Sequence, residues 1–89
     1  MRHELEKILG EELRILAIQT RDRLHLTQKE MGIRLHMSES SYSDIETGHS
    51  SCGALTEALL LEMQDNPGAF LHIVVSKFAE WYEEQMQPV

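Results

Sequence analysis

The chain has a single cysteine, Cys52, in its 89 residues. No disulfide can form within it, which suits a reducing compartment and makes the cytoplasm the expected location. It has no long apolar run. Runs such as Ala58-Leu59-Leu60-Leu61, none longer than four residues, fall far short of the roughly 20 residues that span a bilayer. The first residues, Met1-Arg2-His3-Glu4, are charged rather than apolar, so no leader peptide is expected. Positive charge is scarce: 8 Lys and Arg stand against 15 Asp and Glu, for a net charge of −7. Polyanion binders are usually basic, because neutralising phosphate supplies much of their affinity. The total charge therefore argues against that class of partner.

Other absences narrow the chemistry. No turn dipeptide separates two alternating apolar runs, so strands are not expected. There is no internal repeat and no low-complexity stretch. No glycine-rich phosphate loop is present. Ser50-Ser51-Cys52 carries nucleophiles, but no Gly-x-Ser-x-Gly elbow or paired base goes with it. Five histidines (His3, His25, His36, His49 and His72) are scattered, and the only short spacing is His49-x-x-Cys52. Two ligands are half of what a structural zinc site needs. No metal, cofactor, small-molecule ligand or catalytic activity is expected.

What is present is helix periodicity. The apolar fraction, 42%, is that of a globular chain, and the length is that of one domain. Leu5, Ile8, Leu9, Leu13, Leu16, Ala17, Thr20 and Leu24 recur at three- and four-residue steps, which predicts a helix over about 3–24. Thr27 and Glu30 have capping-box spacing and open a short helix running to Leu35. Ser38 and Ser41 precede or open a third helix, and Gly48 suits its end. After a loop at 49–53, Leu55, Ala58, Leu59 and Glu62 mark one face of a fourth helix over 54–64. Asn66 and Pro67 offer an N-cap and an N1 proline for a fifth, over about 67–86. The expected fold is all-α, with five helices.

The segment from Leu26 to Ser50 holds the most specific pattern. Its apolar positions are Leu26, Met31, Leu35, Met37, Tyr42 and Ile45, spread over a short helix, a three-to-four-residue turn and a second helix. On spacing alone, any corner between two helices would serve. The identities say more. Leu26-Thr27-Gln28, Leu35 with Met37-Ser38, and Ile45-Glu46-x-Gly48 resemble the Cro/CI, lambda-repressor-like (XRE-type) helix-turn-helix family. The resemblance covers about residues 10–64. It implies an all-α, five-helix lambda-repressor-like fold in which residues 1–66 form the Cro/CI-type domain, with the helix-turn-helix in helices 2 and 3. Residues 67–89 extend beyond the resemblance as the fifth helix, expected to pack on the core and, through its apolar stripe, to mediate dimerisation.

The resemblance also implies roles. Thr27 and Gln28 would meet the DNA backbone at the start of helix 2. Helix 3 would lie in the major groove, presenting Ser38, Glu39, Ser40, Ser43 and Asp44, with Thr47 and His49 toward phosphates. Glu46 would pair with Arg21 on helix 1. His25 and His36 stand where relatives usually have glycine, and should take the left-handed conformation.

Two departures matter. Glu39 and Asp44 are acidic where many relatives carry Arg, Lys or Gln. A carboxylate can accept from cytosine N4 but repels nearby phosphate. The charge distribution tempers the excess of acid: residues 50–89 hold one basic group, Lys77, and six acidic ones, whereas 21–49 hold four of the former and five of the latter. The expected function is sequence-specific DNA binding in transcription regulation, with double-stranded DNA as partner. The alternative is a degenerate helix-turn-helix serving as a protein–protein interaction module. The stripe of Phe70, Leu71, Val74, Phe78, Trp81 and Tyr82, widened by Ile73 and Val75, points to a homodimer through the C-terminal helix.

Overall fold

Five helices and no strand make up residues 2–87, which are the residues described by the computed structural model. The last two residues of the expected 67–89 segment lie outside the described residues. The helices are α1 (Arg2–Arg23), α2 (Gln28–Arg34), α3 (Glu39–Thr47), α4 (Ala54–Glu62) and α5 (Pro67–Met86).

Polar side chains set most of the helix starts. Thr27 Oγ accepts the Glu30 N–H at 3.1 Å, and the Glu30 carboxylate accepts the Thr27 N–H at 2.9 Å. Two N-terminal donors that α2 cannot satisfy internally are thereby satisfied. Ser38 Oγ accepts the Ser41 N–H at 3.1 Å and caps α3. Asn66 caps α5 through the Ala69 N–H, and Pro67 occupies its first turn. Gly48, at φ 82°, ends α3 in the left-handed conformation. His25 and His36 also have positive φ, 55° and 59°, so the turns before and after α2 both use a histidine where glycine would be unstrained.

The core gathers one stripe from each helix. Leu13 and Ala17 of α1 pack with Met31, Leu35 and Tyr42, with Leu60 of α4, and with Phe70 and Val74 of α5. The α5 helix is thus part of the same core as α1. Three polar residues are buried with these: Glu12, Thr20 and Thr56. Glu12 accepts from Lys77 of α5, and Thr20 Oγ accepts from the Gln64 side chain at 2.9 Å. Every buried side-chain polar atom among the described residues has a partner.

Two sequence expectations need correction. On α4 the buried positions are Thr56 and Leu60, whereas Leu55 is 66% exposed and Ala58 is also exposed. This helix reads Ala-Leu-Thr-Glu-Ala-Leu-Leu-Leu-Glu and is apolar nearly all round, so periodicity cannot fix which side faces in. Leu5 and Leu24, at the two ends of the α1 stripe, are 39% and 37% exposed. No helix among the described residues is long and apolar enough to cross a membrane.

Candidate nucleic-acid interface

The α2–α3 corner is held from inside by one polar cluster. Arg21 on α1 sends Nε to Glu46 Oε2 at 2.6 Å and Nη2 to Glu46 Oε1 at 3.1 Å, a two-pronged ion pair. Its Nη1 also donates to the Leu26 carbonyl at 3.2 Å. The Gln28 amide donates to Glu46 Oε1 at 3.2 Å. One carboxylate on α3 therefore gathers α1 and the first turn of α2. Burial works to raise the Glu46 pKa, but hydrogen bonds from Arg21 and Gln28, with the Tyr42 hydroxyl close by, outweigh it and hold the carboxyl below its usual range. The Tyr42 hydroxyl donates to the Ala17 carbonyl at 3.3 Å. Burial, and then the Glu46 carboxylate, push its pKa well up.

The turn between α2 and α3 is tight for a second reason. A Cβ on buried Gly32 would lie 2.9 Å from the Met37 carbonyl oxygen and 3.2 Å from that of Ser38. The Met37 N–H donates to the Gly32 carbonyl at 2.9 Å, so the turn closes directly onto this residue. Only a glycine lets the two backbones approach this closely.

On this frame α3 turns Tyr42 and Ile45 inward, at 0% and 5% exposure. Its other side carries Glu39, Ser40, Asp44 and Thr47, all exposed, with Ser43 half-buried among them. At 3.6 residues per turn these five fall within about 140° of the circumference. Glu39 lies in the first turn, where an acid suits the helix dipole. Neither Glu39 nor Asp44 makes an ion pair among the described residues.

Several side chains expected to face a ligand are engaged at home. The Ser38 hydroxyl accepts the Ser41 N–H and donates to Ser41 Oγ at 2.9 Å, so its hydrogen-bonding is largely taken up by the cap. Thr27, exposed, is held in the capping box. Gln28 is half-buried and bonded to Glu46, although its amide keeps a second N–H and its oxygen. Thr47 Oγ donates back to the helix, 3.1 Å from the Ser43 carbonyl, and sits 2.7 Å from His49 Nδ1.

The basic rim is thinner than the sequence suggests. Arg21 is taken by Glu46, and Arg23 Nη2 donates to the Met63 carbonyl at 3.2 Å. Lys29 and Arg34 are exposed on α2 and make no ion pair among the described residues. Arg34 lies one turn after Glu30, whose carboxyl is held below its usual range first by the Thr27 backbone N–H and hydroxyl and lastly by the Arg34 charge.

Beside the corner, α1 and the loop after α3 enclose an open cleft of about 390 Å³, lined by Lys7, Gly10, Glu11 and Arg14 on one side and His49 to Cys52 on the other. Burial, and then Glu57, raise the Cys52 thiol pKa, which reduces its thiolate fraction. Compared with protein-family models, with curated proteins and with solved structures, the chain matches none.

Proposed function

We propose that the protein is a sequence-specific DNA-binding regulator of transcription, with residues 26–50 acting as a Cro/CI-type helix-turn-helix. The observation that carries this reading is the α3 face: Glu39, Ser40, Asp44 and Thr47 stand free of core packing on a helix locked in place by Arg21, Glu46, Gln28 and Gly32. A short polar helix held rigidly at a surface is what groove reading requires, since loosely held side chains discriminate poorly. In this reading Glu39 and Asp44 accept from cytosine N4, and Ser40 and Ser43 bond base edges. The free N–H of Gln28, the α2 start at Thr27, and His49 beside Thr47 approach phosphate. Ser38 orients α3 rather than touching the duplex. No cofactor and no catalysis are needed.

The acidic tips make the electrostatics unusual. A carboxylate in the groove is repelled by phosphate wherever no amino donor meets it. Wrong bases would leave it desolvated and unpaired, at a cost of about 1–3 kcal/mol per mismatch. Non-specific binding should be weak. With Lys29 and Arg34, the exposed cations of α2, as the phosphate contacts, the slope of log affinity against log salt should be about −2 per copy, at roughly 0.9 per neutralised phosphate.

Fluorescence anisotropy with random duplexes, and with duplexes selected for binding, measures this at two salt concentrations. Glu39→Gln should raise affinity for random DNA and blur the preference at one base position. A second reading, a protein-interaction module that keeps the fold without DNA affinity, draws on the same exposed Glu39 and Asp44. Absence of binding by both the wild type and Glu39→Gln at low salt would end the DNA reading in favour of that one.

A further inference from the structure

The chain's one tryptophan stands outside the core. Trp81, on α5, is half-buried and stacks on Phe78, ring centroids 5.7 Å apart, but neither ring belongs to the buried cluster. Trp81 instead lines an open groove of about 400 Å³ between α1 and α5, with half-buried Ile8 of α1 as its other apolar wall. Carboxylates surround this pair: Glu4, Glu11 and Glu12 from α1, Glu80 and Glu84 from α5. These five acids stand against two cations, Lys7 and Lys77, which leaves the groove with a charge of −3. Two of the acids are matched at home. Glu12 accepts from Lys77, and Glu11 accepts from Arg14 at 2.7 Å. Glu4, Glu80 and Glu84 make no ion pair among the described residues. Glu84 also lies in the last turn of α5, where it opposes the dipole of its own helix. A cation placed beside it relieves both conditions. Lys77 shows how the groove treats a cation: its pKa is raised first by the hydrogen bond to Glu12 and further by the charges of Glu12, Glu80 and Glu11, on both helices.

We infer that this groove docks a basic amphipathic helix of a partner protein. Charge complementarity selects the partner. Its apolar face lies on Ile8 and Trp81, and lysines or arginines flanking that face meet Glu4, Glu80 and Glu84. A cation over the indole adds a cation–π contact. Nucleic acid and anionic lipid are repelled by the same carboxylates. Form follows from the walls. A trench between two helices takes a third, whose backbone is already satisfied, whereas an extended peptide needs a sheet edge and no strand exists among the described residues.

Length follows from the lining. From Glu4 to Glu12 the α1 wall runs for about 12 Å, a little over two turns. The docked segment therefore anchors with apolar residues at i, i+3 or i+4, and i+7. A contact this small is that of a transient complex, so micromolar affinity is expected. No residue of α2 or α3 lines the groove, and the inference is independent of the DNA reading.

Trp81 reports on its own site, because no other tryptophan contributes to the emission. The probe is a synthetic peptide of lysine and leucine, about 14 residues or four turns long, with its leucines on one helical face. Titrated into the full chain at low salt, it should shift the Trp81 emission and saturate at micromolar concentration. Anisotropy of the fluorescein-labelled peptide then compares variants. Glu80→Gln with Glu84→Gln should weaken binding about tenfold, the scale of two exposed charge pairs. Both side chains are exposed, so circular dichroism should stay unchanged. Glu62→Gln with Glu83→Gln removes two exposed acids outside the groove and should stay within about twofold of the wild type. A peptide of the same composition with its leucines scattered round the helix should bind at least about tenfold more weakly, having no apolar face to offer. Failure of the first peptide to bind, or binding that leaves the Trp81 emission unchanged, would overturn the proposal. So would equal losses in the two double variants, or displacement of the peptide by spermine at matched charge, since either result would mean that charge alone is being read.

Discussion

The α2–α3 corner and the α4–α5 half of the molecule are built on different principles. The corner buries Met31, Leu35, Tyr42 and Ile45 and adds dense polar ties: two side-chain caps, a two-pronged ion pair, an amide on the same carboxylate, a left-handed glycine and a glycine with no room for a Cβ. The α4–α5 half relies on burial of Leu60, Phe70 and Val74, with polar ties at Gln64, Asn66 and Lys77. Polar ties are directional and fix one geometry. Apolar burial is not directional, and it leaves part of α5 and Leu55 of α4 uncovered. The same chain thus has a rigid polar face at one end and an unfilled apolar face at the other.

If the corner depends on its polar cluster, breaking the cluster should have the largest effect. Glu46→Gln leaves the Arg21 guanidinium without its counter-ion. The Glu46 side chain is 8% exposed and that of Arg21 27%, so the pair is mostly shielded from water. Loss of one partner should cost about 2–3 kcal/mol, below the full penalty of a wholly buried pair because Arg21 keeps some solvent. Urea unfolding of the two proteins measures it. The pH dependence has a definite sign. The folded-state pKa of Glu46 is depressed, so its contribution is present above the ordinary carboxylate range and is lost as pH falls through the lower folded value. Glu46→Gln should flatten that acid limb. An unchanged limb would mean that the pair does not tie α3 to α1.

Second in size is Gly32→Ala. In an unconstrained helix this change is stabilising by roughly 1 kcal/mol. Here the methyl group would press on two backbone carbonyls, and neither can swing away as a side-chain end could. The net effect should be a loss of about 2 kcal/mol, within the usual range for overpacking. Thermal unfolding should register it as a fall in Tm on the order of 10 °C for a domain of this size.

These contrasts bear on what could be read before any coordinates. Helix starts at Thr27, Ser38 and Pro67 were legible because a cap is a local chemical event written within four residues. The Arg21–Glu46 pair and the positive φ of His25 and His36 were legible through the family resemblance, which supplies contacts that spacing alone does not. The face of α4 was not legible, because an all-round apolar helix has no phase. Two of the candidate DNA contacts have hydrogen bonds inside the protein that the sequence did not reveal. Ser38 and Gln28 are polar and near the surface, but their hydrogen bonds go to Ser41 and Glu46. Sequence shows that a side chain can donate and is silent on which acceptor lies nearest. The Lys77–Glu12 contact, 65 residues apart, was hidden for the same reason.

A smaller effect tests the turns around α2. His36 has φ 59°, a conformation that a side chain reaches at a cost and glycine reaches freely. It is exposed and makes no side-chain hydrogen bond among the described residues, so nothing is lost with the ring. His36→Gly should stabilise the fold by up to about 1 kcal/mol, partly offset by the greater entropy of glycine in the unfolded chain. A destabilised variant would show that the ring does something the turn needs.

The smallest effect is also the cleanest comparison with Gly32. Gly10 sits inside α1, a helix of 22 residues, at a point where a Cβ would have nothing within 4 Å. Its φ is ordinary, and it borders the open cleft between α1 and the 49–52 loop. Glycine there forgoes helix propensity without any packing reason. Gly10→Ala should therefore stabilise the protein by about 0.5–1 kcal/mol, the usual difference between these residues in a helix interior. Gly32→Ala makes the same chemical change twenty-two residues on and should have the opposite sign. Chemical denaturation of the two single variants and the double variant decides whether each methyl acts through its own surroundings. The sites share no contact, so the effects should add to within about 0.5 kcal/mol. If Gly10→Ala destabilises instead, the methyl meets something in the cleft, and α1 and the 49–52 loop must close more tightly in solution than the open cleft suggests.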